Sequence, residues 1–350
     1  MDKKYKALYG RFTAKGVIED IRMVREGKTS TSNADYKCLS MRIKTADKHI
    51  LNLELFGQTR DNLPIVKFTG KEKEEKTVKW ADRFNIPEGF GIVSYMSVGV
   101  SNEVITTPLS KTRVPYITSY DAIGELISNF KVGDSIAVSG TPNWSSYVSK
   151  QTGELRTNVK FNINKISKIE NINFEDENFK ELCHFVQPVV IEDTELNEDK
   201  TALILDCIII TKDDGTFVRT NMEVSTEKKN FAKALHNKKL VPSYSVATLM
   251  GDLINEVVEE VVEEDDDDTW GSDPNEERKS IRYSGLKFNV LKLDGGEEGI
   301  ETDLYTEDDF ISSINDELED KETVNTKDAI FDTEDDDMAS DDNWLDEFAE

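Results

Sequence analysis

The sequence predicts a mainly β chain: a small five-stranded Greek-key barrel with one short helix, repeated in tandem, then a disordered acidic tail. Three observations carry that expectation. Short segments alternate apolar and polar residues with period two and are bounded by Gly, Asn and Asp turns, the pattern of half-buried strands. Helical periodicity interrupts them at 119–130 and again at 225–239, each time after a set of strands and before further ones. Charge is segregated: residues 1–170 hold 27 Lys+Arg against 19 Asp+Glu and residues 301–350 hold 2 against 21, within a net charge of −27.

Residues 11–24 (RFTAKGVIEDIRMV) read as a first strand, with Gly16 at a bulge or bend of the kind a closing barrel needs. A polar loop, 25–35, follows. In 36–44 (YKCLSMRIK), Leu39, Met41 and Ile43 face one way and Ser40, Arg42 and Lys44 the other. The turn TADK leads into 49–56 (HILNLELF), a partner strand with Leu51, Leu53 and Leu55 on its greasy side. Residues 58–119, with the charged run 71–76, interrupt the pattern as an inserted subdomain or long loop. The stretch 119–130 places Ile123, Leu126, Ile127 and Phe130 on one helical stripe. Strands at 131–148 and 155–169 then form a hairpin around the turn 149–154. Strand, strand, strand, helix, strand, strand is the order of an OB-fold, a barrel whose outer face and loops suit oligonucleotides.

The order recurs: strands at 184–193, 201–211 and 217–224 with the turn signal DDGT between the last two. A helix follows at 225–239, capped by Ser225 or Thr226, and then strands within 244–262 and 281–293. The expected division is therefore 1–170, an OB unit with an insertion at 58–119; 171–295, a second, divergent OB-like unit with an acidic loop at 263–280; and 296–350, the tail. The tail buries too little apolar surface to offset ordering entropy. Its tip differs, since Trp344, Leu345 and Phe348 stand at helical spacing among acids and are expected to dock on a partner.

A single-strand binder needs cations to track phosphates and aromatic faces on which bases stack. The first unit offers both. The strands and loops at its start supply Arg11, Lys15, Arg22, Arg25, Lys28, Arg42, Lys44 and Phe56. The end of the insertion adds Arg113 and Tyr116, and the last hairpin adds Trp144, Tyr147, Lys150, Arg156 and Lys160.

The stretch FKVGDSIAVSGTPNWSSYVSKQTGELRTNVKFNINKI resembles the last two strands of bacterial and phage single-stranded DNA-binding proteins, with Gly133, Gly140, Trp144, Gly153 and Arg156 at matching places. LNLELFGQ (51–58) looks like that family's strand ending in Leu-Phe-Gly. The resemblance covers about 11–58 and 119–169. It implies an OB fold that binds single strands without sequence preference and protects them in replication, recombination and repair. It also implies an acidic tail that recruits a polymerase, helicase or primase. The second unit and the tail look most like a phage-encoded member. Three features depart from the family: the long insertion, the second unit, and a tip that continues past Phe348 to Ala349 and Glu350.

Other function classes find little support. No P-loop, GxGxxG, HExxH or GxSxG is present, so no enzyme and no cofactor is expected. The acidic runs 263–268 and 334–337 lie in flexible sequence without the rigid scaffold a catalytic metal site needs. Cys38, Cys183 and Cys207 are far apart, which suits a reducing cytoplasm. MDKKYKALYG lacks the apolar run of a secretory leader, and no apolar stretch long enough to span a membrane occurs. Two alternatives remain: an acidic adaptor or DNA mimic, and an RNA-binding OB protein. Two OB units in one chain point to a monomer or dimer.

Overall fold

The computed structural model describes residues 5–310, apart from 31, 70–71, 94–95, 100–112, 150–152, 154, 262–278 and 284; for 113–116, 258–261 and 279–283 it describes the backbone alone. Strands β1 (Arg11–Lys28), β2 (Asp35–Ala46) and β3 (His49–Gln58) form an antiparallel meander. The insertion contributes β4 (Asn62–Thr69), β5 (Glu72–Lys79), β6 (Gly91–Ile92), β7 (Met96–Gly99) and β8 (Arg113–Ile117). Helix α1 (Ser119–Asn129) and strands β9 (Ser135–Val148) and β10 (Leu155–Lys168) complete the first half. The second half runs β11 (Cys183–Leu196), β12 (Ala202–Ile210), β13 (Phe217–Ser225), α2 (Lys229–His236), β14 (Ser245–Ile254), β15 (Val257–Val261), β16 (Lys279–Tyr283) and β17 (Lys287–Leu293).

Pairing closes the first half into a ring. β1 bonds β2 on one side and β9 on the other, β9 bonds β10, and β10 meets β3 in parallel at Phe161↔Leu53 and Asn162↔Glu54. One long strand serves several neighbours because β1 carries register shifts at Ile18/Asp20 and Met23/Arg25, which bend it around the barrel. The second half closes in the same order, through β11–β12, β12–β13, β13–β17 (parallel, Glu223↔Asn289), β17–β14 and β14–β11.

The registers show that the halves correspond residue by residue. KFNINKI (160–166) on β10 matches KFNVLKL (287–293) on β17. Asn162 lies opposite Glu54 as Asn289 lies opposite Glu223. Gly140 lies opposite Ile163 as Gly251 lies opposite Val290. Both glycines are sterically required, since a Cβ would stand 1.8 Å from the Asn162 carbonyl oxygen and 1.9 Å from that of Asn289. Phe12 lies opposite Gly140 and Phe185 opposite Gly251, and each phenyl ring meets its counterpart, Phe161 or Phe288, edge-on at 5.1 Å.

The two rings join through these same strands. β1 pairs β11 antiparallel, and Phe12 lies directly opposite its own counterpart, Phe185. This is the isologous contact of a twofold dimer, made within one chain. One hydrophobic core runs through both rings, from Phe12, Ile18 and Leu53 to Phe185, Leu205 and Phe288.

Several sequence expectations are corrected here. The tail does not begin at 296: Tyr305 and Phe310 are buried beside Phe217, and Phe310 stacks on Tyr244 at 6.0 Å. Two aromatics so close to the acidic run escaped the compositional argument. Of the two readings of the insertion, the subdomain is the one seen: β4, β5 and β6 form a separate three-stranded sheet, while β7 and β8 extend the main sheet beyond β10. Helix α2 begins after Lys228 with no side-chain cap. Thr226 instead donates its hydroxyl to the Thr201 carbonyl (2.8 Å), and Ser225 Oγ accepts from the Glu227 N–H (3.2 Å). Most of the expected acidic loop 263–280 and the tail from 311 lie outside the described residues.

Candidate nucleic-acid interface

Cross-strand neighbours share a face, so the registers assemble the outer surface of β1, β2 and β3 row by row. Arg25, Cys38 and Phe56 form one row, Arg22, Ser40 and Glu54 the next, and Asp20, Arg42 and Asn52 a third. Phe56 and Tyr36 are both half-buried, with ring centroids 6.0 Å apart at 34°. Two aromatic rings therefore stand together with Arg25 and Arg22 in adjoining rows. Lys44 and Lys160 lie further along the same surface.

The cations are not a bare positive stripe. Arg42 pairs with Glu19 at 3.5 Å, Arg22 with Asp20 at 3.4 Å, Lys44 with Asp47 at 3.1 Å, Lys28 with Asp35 at 3.3 Å and Lys160 with Glu54 at 3.4 Å. All five pairs are at least partly solvated, so each is worth on the order of 1 kcal/mol or less and can exchange its carboxylate for a phosphate. The acids hold the cations in place and set a competition that an incoming polyanion has to win.

The remaining sequence-predicted residues are scattered. Arg11 and Lys15 are exposed on β1 where it runs between β9 and β11. Tyr147 and Arg156 are cross-strand neighbours beside the turn that closes the β9–β10 hairpin. Arg113 and Tyr116 lie on β8, the last strand of the sheet and two strands beyond β3's partner β10, rather than over the β1–β3 face; their side chains lie outside the described residues. Lys150, Trp344, Leu345 and Phe348 also lie outside them.

Trp144 is a correction. It is 7% exposed, donates its indole N–H to Gln187 Oε1 (3.1 Å) and lies 5.1 Å from the Phe288 ring. Gln187 is fully buried and donates in turn to the Leu8 and Pro188 carbonyls. Trp144 keeps the inward parity of Ile136 and Val138, and the second ring extends the core past the point where a lone barrel would end. It packs between the rings and shows only a small part of its surface, to the cleft beside it.

Beside Trp144 the rings leave a cleft of about 340 Å³. The parallel β3–β10 pairing covers just two residues, and beyond it Asn52 and Thr157–Val159 part to form the walls. Thr157 Oγ1 donates across to the Arg219 carbonyl at 2.6 Å and ties the first ring to β13.

The model of the YorF family matches residues 13–328, from the first strand into the acidic run. The chain belongs to the YorF family. No curated protein matches it. Two solved structures of a single-stranded DNA binding protein from Thermus aquaticus are similar to it at 10% identity and a TM-score of 0.37: a deletion mutant, covering 83% of this chain and 94% of that one, and the wild type, covering 83% and 93%.

In this YorF-family chain, sequence reasoning left out Tyr36, although its even parity with Ser40 and Arg42 was readable. Two lysines beside α2 are engaged locally: Lys238 bonds Asp193 at 2.6 Å and holds that carboxyl below its usual range, and Lys228 donates to the Leu291 carbonyl. Asp206, on the second ring, is pushed up by burial and by neighbouring Glu195, Asp193 and Glu192. Burial also raises the Cys183 and Cys207 thiols far above their ordinary value, so neither is a nucleophile at neutral pH.

Proposed function

We propose that this protein binds single-stranded DNA without sequence preference, that each ring is an OB fold, and that the chain is a cytoplasmic binding protein rather than an enzyme. The observation that carries the reading is the β1–β2–β3 face, where the half-exposed Tyr36–Phe56 pair adjoins Arg22 and Arg25, with Arg42 in the next row. Base stacking on such rings and phosphate contact by such cations are the two requirements of sequence-tolerant binding. The strand order of each ring supports the OB assignment, since β1-β2-β3-β10-β9 and β11-β12-β13-β17-β14 close alike. In this reading the protein protects exposed strands during replication, recombination or repair. The acidic tail recruits partners through Trp344, Leu345 and Phe348, and competes with DNA for the cations when DNA is absent.

Fluorescence anisotropy with labelled oligo-dT, run against duplex DNA and RNA competitors over a salt series, tests the proposal. The expected result is salt-sensitive binding selective for single-stranded DNA. A chain ending at Phe310, which keeps Tyr305 and Phe310 in their core, should bind more tightly at low salt. Preferential binding of RNA would move the protein to the RNA-binding class, and no binding by either chain would leave the acidic adaptor as the better reading.

A further inference from the structure

We infer that the cleft between the rings seats one unstacked nucleobase of the bound strand and holds its edge with side-chain amides, which can serve donors or acceptors of any base; this deepens the single-strand proposal and rests on it. The chemistry of the walls selects the ligand class. Asn52, Asn158, Asn221 and Thr220 supply donors and acceptors, and among the described residues no Lys, Arg, Asp or Glu lines the cleft. A phosphate, a carboxylate or a metal ion would find no opposite charge there. A neutral group with both donors and acceptors would be matched, because an amide can serve either role.

The floor is apolar, lined by Leu51, Val159, Leu286 and the small exposed parts of Phe288 and Trp144. A planar ring can lie on such a surface with its edge toward the amides, as a flipped or unstacked base does. At about 340 Å³ the space is at the small end of sites that hold small molecules.

Asn255 supplies an independent sign. Its carbonyl accepts from the Ile50 N–H at 3.1 Å, which fixes the residue at the cleft wall. Its side-chain Oδ1 is buried and has no hydrogen-bond partner among the described residues. A buried acceptor normally has a donor. Turned toward the cleft, that oxygen would accept from the exocyclic amine or ring N–H of a base.

The cleft is also placed where a strand would pass. Asn52 lies directly opposite Arg42 across β2–β3, and Asn158 is two positions before Lys160 on the same face of β10. A backbone held by Arg42 and Lys160 would run along the rim, leaving one base to turn inward between them.

Saturation-transfer NMR of thymidine and deoxyadenosine with the full-length protein, with deoxyribose as control, tests the seat without the phosphate contacts. Oligo-dT anisotropy is measured on the same samples. Two variants are compared: Asn255→Leu, which removes the acceptor, and Asn158→Phe, which fills the mouth from a partly exposed position and carries the test if the first fails to fold. The expected result is saturation of base protons ahead of sugar protons, lost in both variants, with oligo-dT affinity lowered about tenfold, the usual worth of a paired base edge. Oligo-dT binding with no nucleoside signal, or with a signal unchanged in the variants, overturns the base seat and leaves the proposed function standing. Absence of oligo-dT binding overturns the proposed function, and a nucleoside signal alone would then mark a nucleoside site unrelated to a strand.

Discussion

Tyr36 and Phe56 form the most consequential contact on the proposed binding face, and they can be separated from the fold because both are partly solvated. Replacing either with Ala is expected to weaken oligo-dT binding by roughly 1–3 kcal/mol, one lost stack, while leaving the salt slope unchanged. Anisotropy titrations at several salt concentrations would show both effects. Glu54→Gln should act in the opposite direction: it frees Lys160 from its 3.4 Å pairing, so affinity should rise in the same assay at low salt. Asp206 gives a pH-dependent prediction. Its folded carboxyl is raised by burial and neighbouring acids, so its contribution favours the fold at low pH and is lost as pH rises through the raised value. Asp206→Asn should therefore raise the melting temperature at neutral pH, with the gain shrinking as pH falls through the carboxylate range. The surface placement of most of these cations was legible one residue at a time, because Lys and Arg on non-core parity have few alternatives to the surface. Trp144 was not: its type suggests stacking, and its fate is decided by Gln187 and Phe288, which arrive from the other ring.

Strand existence was written in the alternation of residues such as Leu39, Met41 and Ile43, and β2, β3, β9 and β10 lie close to where that alternation puts them. The extension of β1 to Lys28 was hidden, because its second part runs past two bulges and alternates imperfectly. The insertion was legible as an interruption at 58–119, but its anchoring was not, which is partly by pairing of β7 with β10 and partly side chain to side chain. Arg83 donates to both carboxylate oxygens of Asp121 at the start of α1, at 2.8 and 3.1 Å, and Trp80 meets Tyr120 edge-on at 6.1 Å. The repeat KFNINKI/KFNVLKL was readable and identifies equivalent strands, but its meaning depends on the glycines packed against it. Gly140→Ala and Gly251→Ala drive a methyl group into the Asn162 and Asn289 carbonyls respectively, so the fourth and fifth strands of the affected ring must separate. Each is expected to cost about 1–3 kcal/mol or more, read as a lower thermal midpoint of similar size in the two variants.

At the scale of the molecule, charge segregation and strand order were visible in the sequence, whereas the way the halves meet was not, since no local pattern says that β1 pairs β11. The shared core makes a definite claim. Phe288 touches Phe185 of its own ring and Trp144 and Phe161 of the other. Phe288→Ala should cost about 3–5 kcal/mol and lower the stability of both rings together, giving one calorimetric transition rather than two. Two separate transitions would show that the rings unfold independently. The like-with-like pairing of Phe12 with Phe185 has one more consequence. A true homodimer must present every side chain twice, and a strand laid across its axis reads the same from either end. Here the place that Trp144 holds in one ring, four residues beyond Gly140, is held by Asn255 in the other, four beyond Gly251. Joining the halves covalently allows them to differ, and a groove whose halves differ can distinguish the 5′ end of its occupant from the 3′ end.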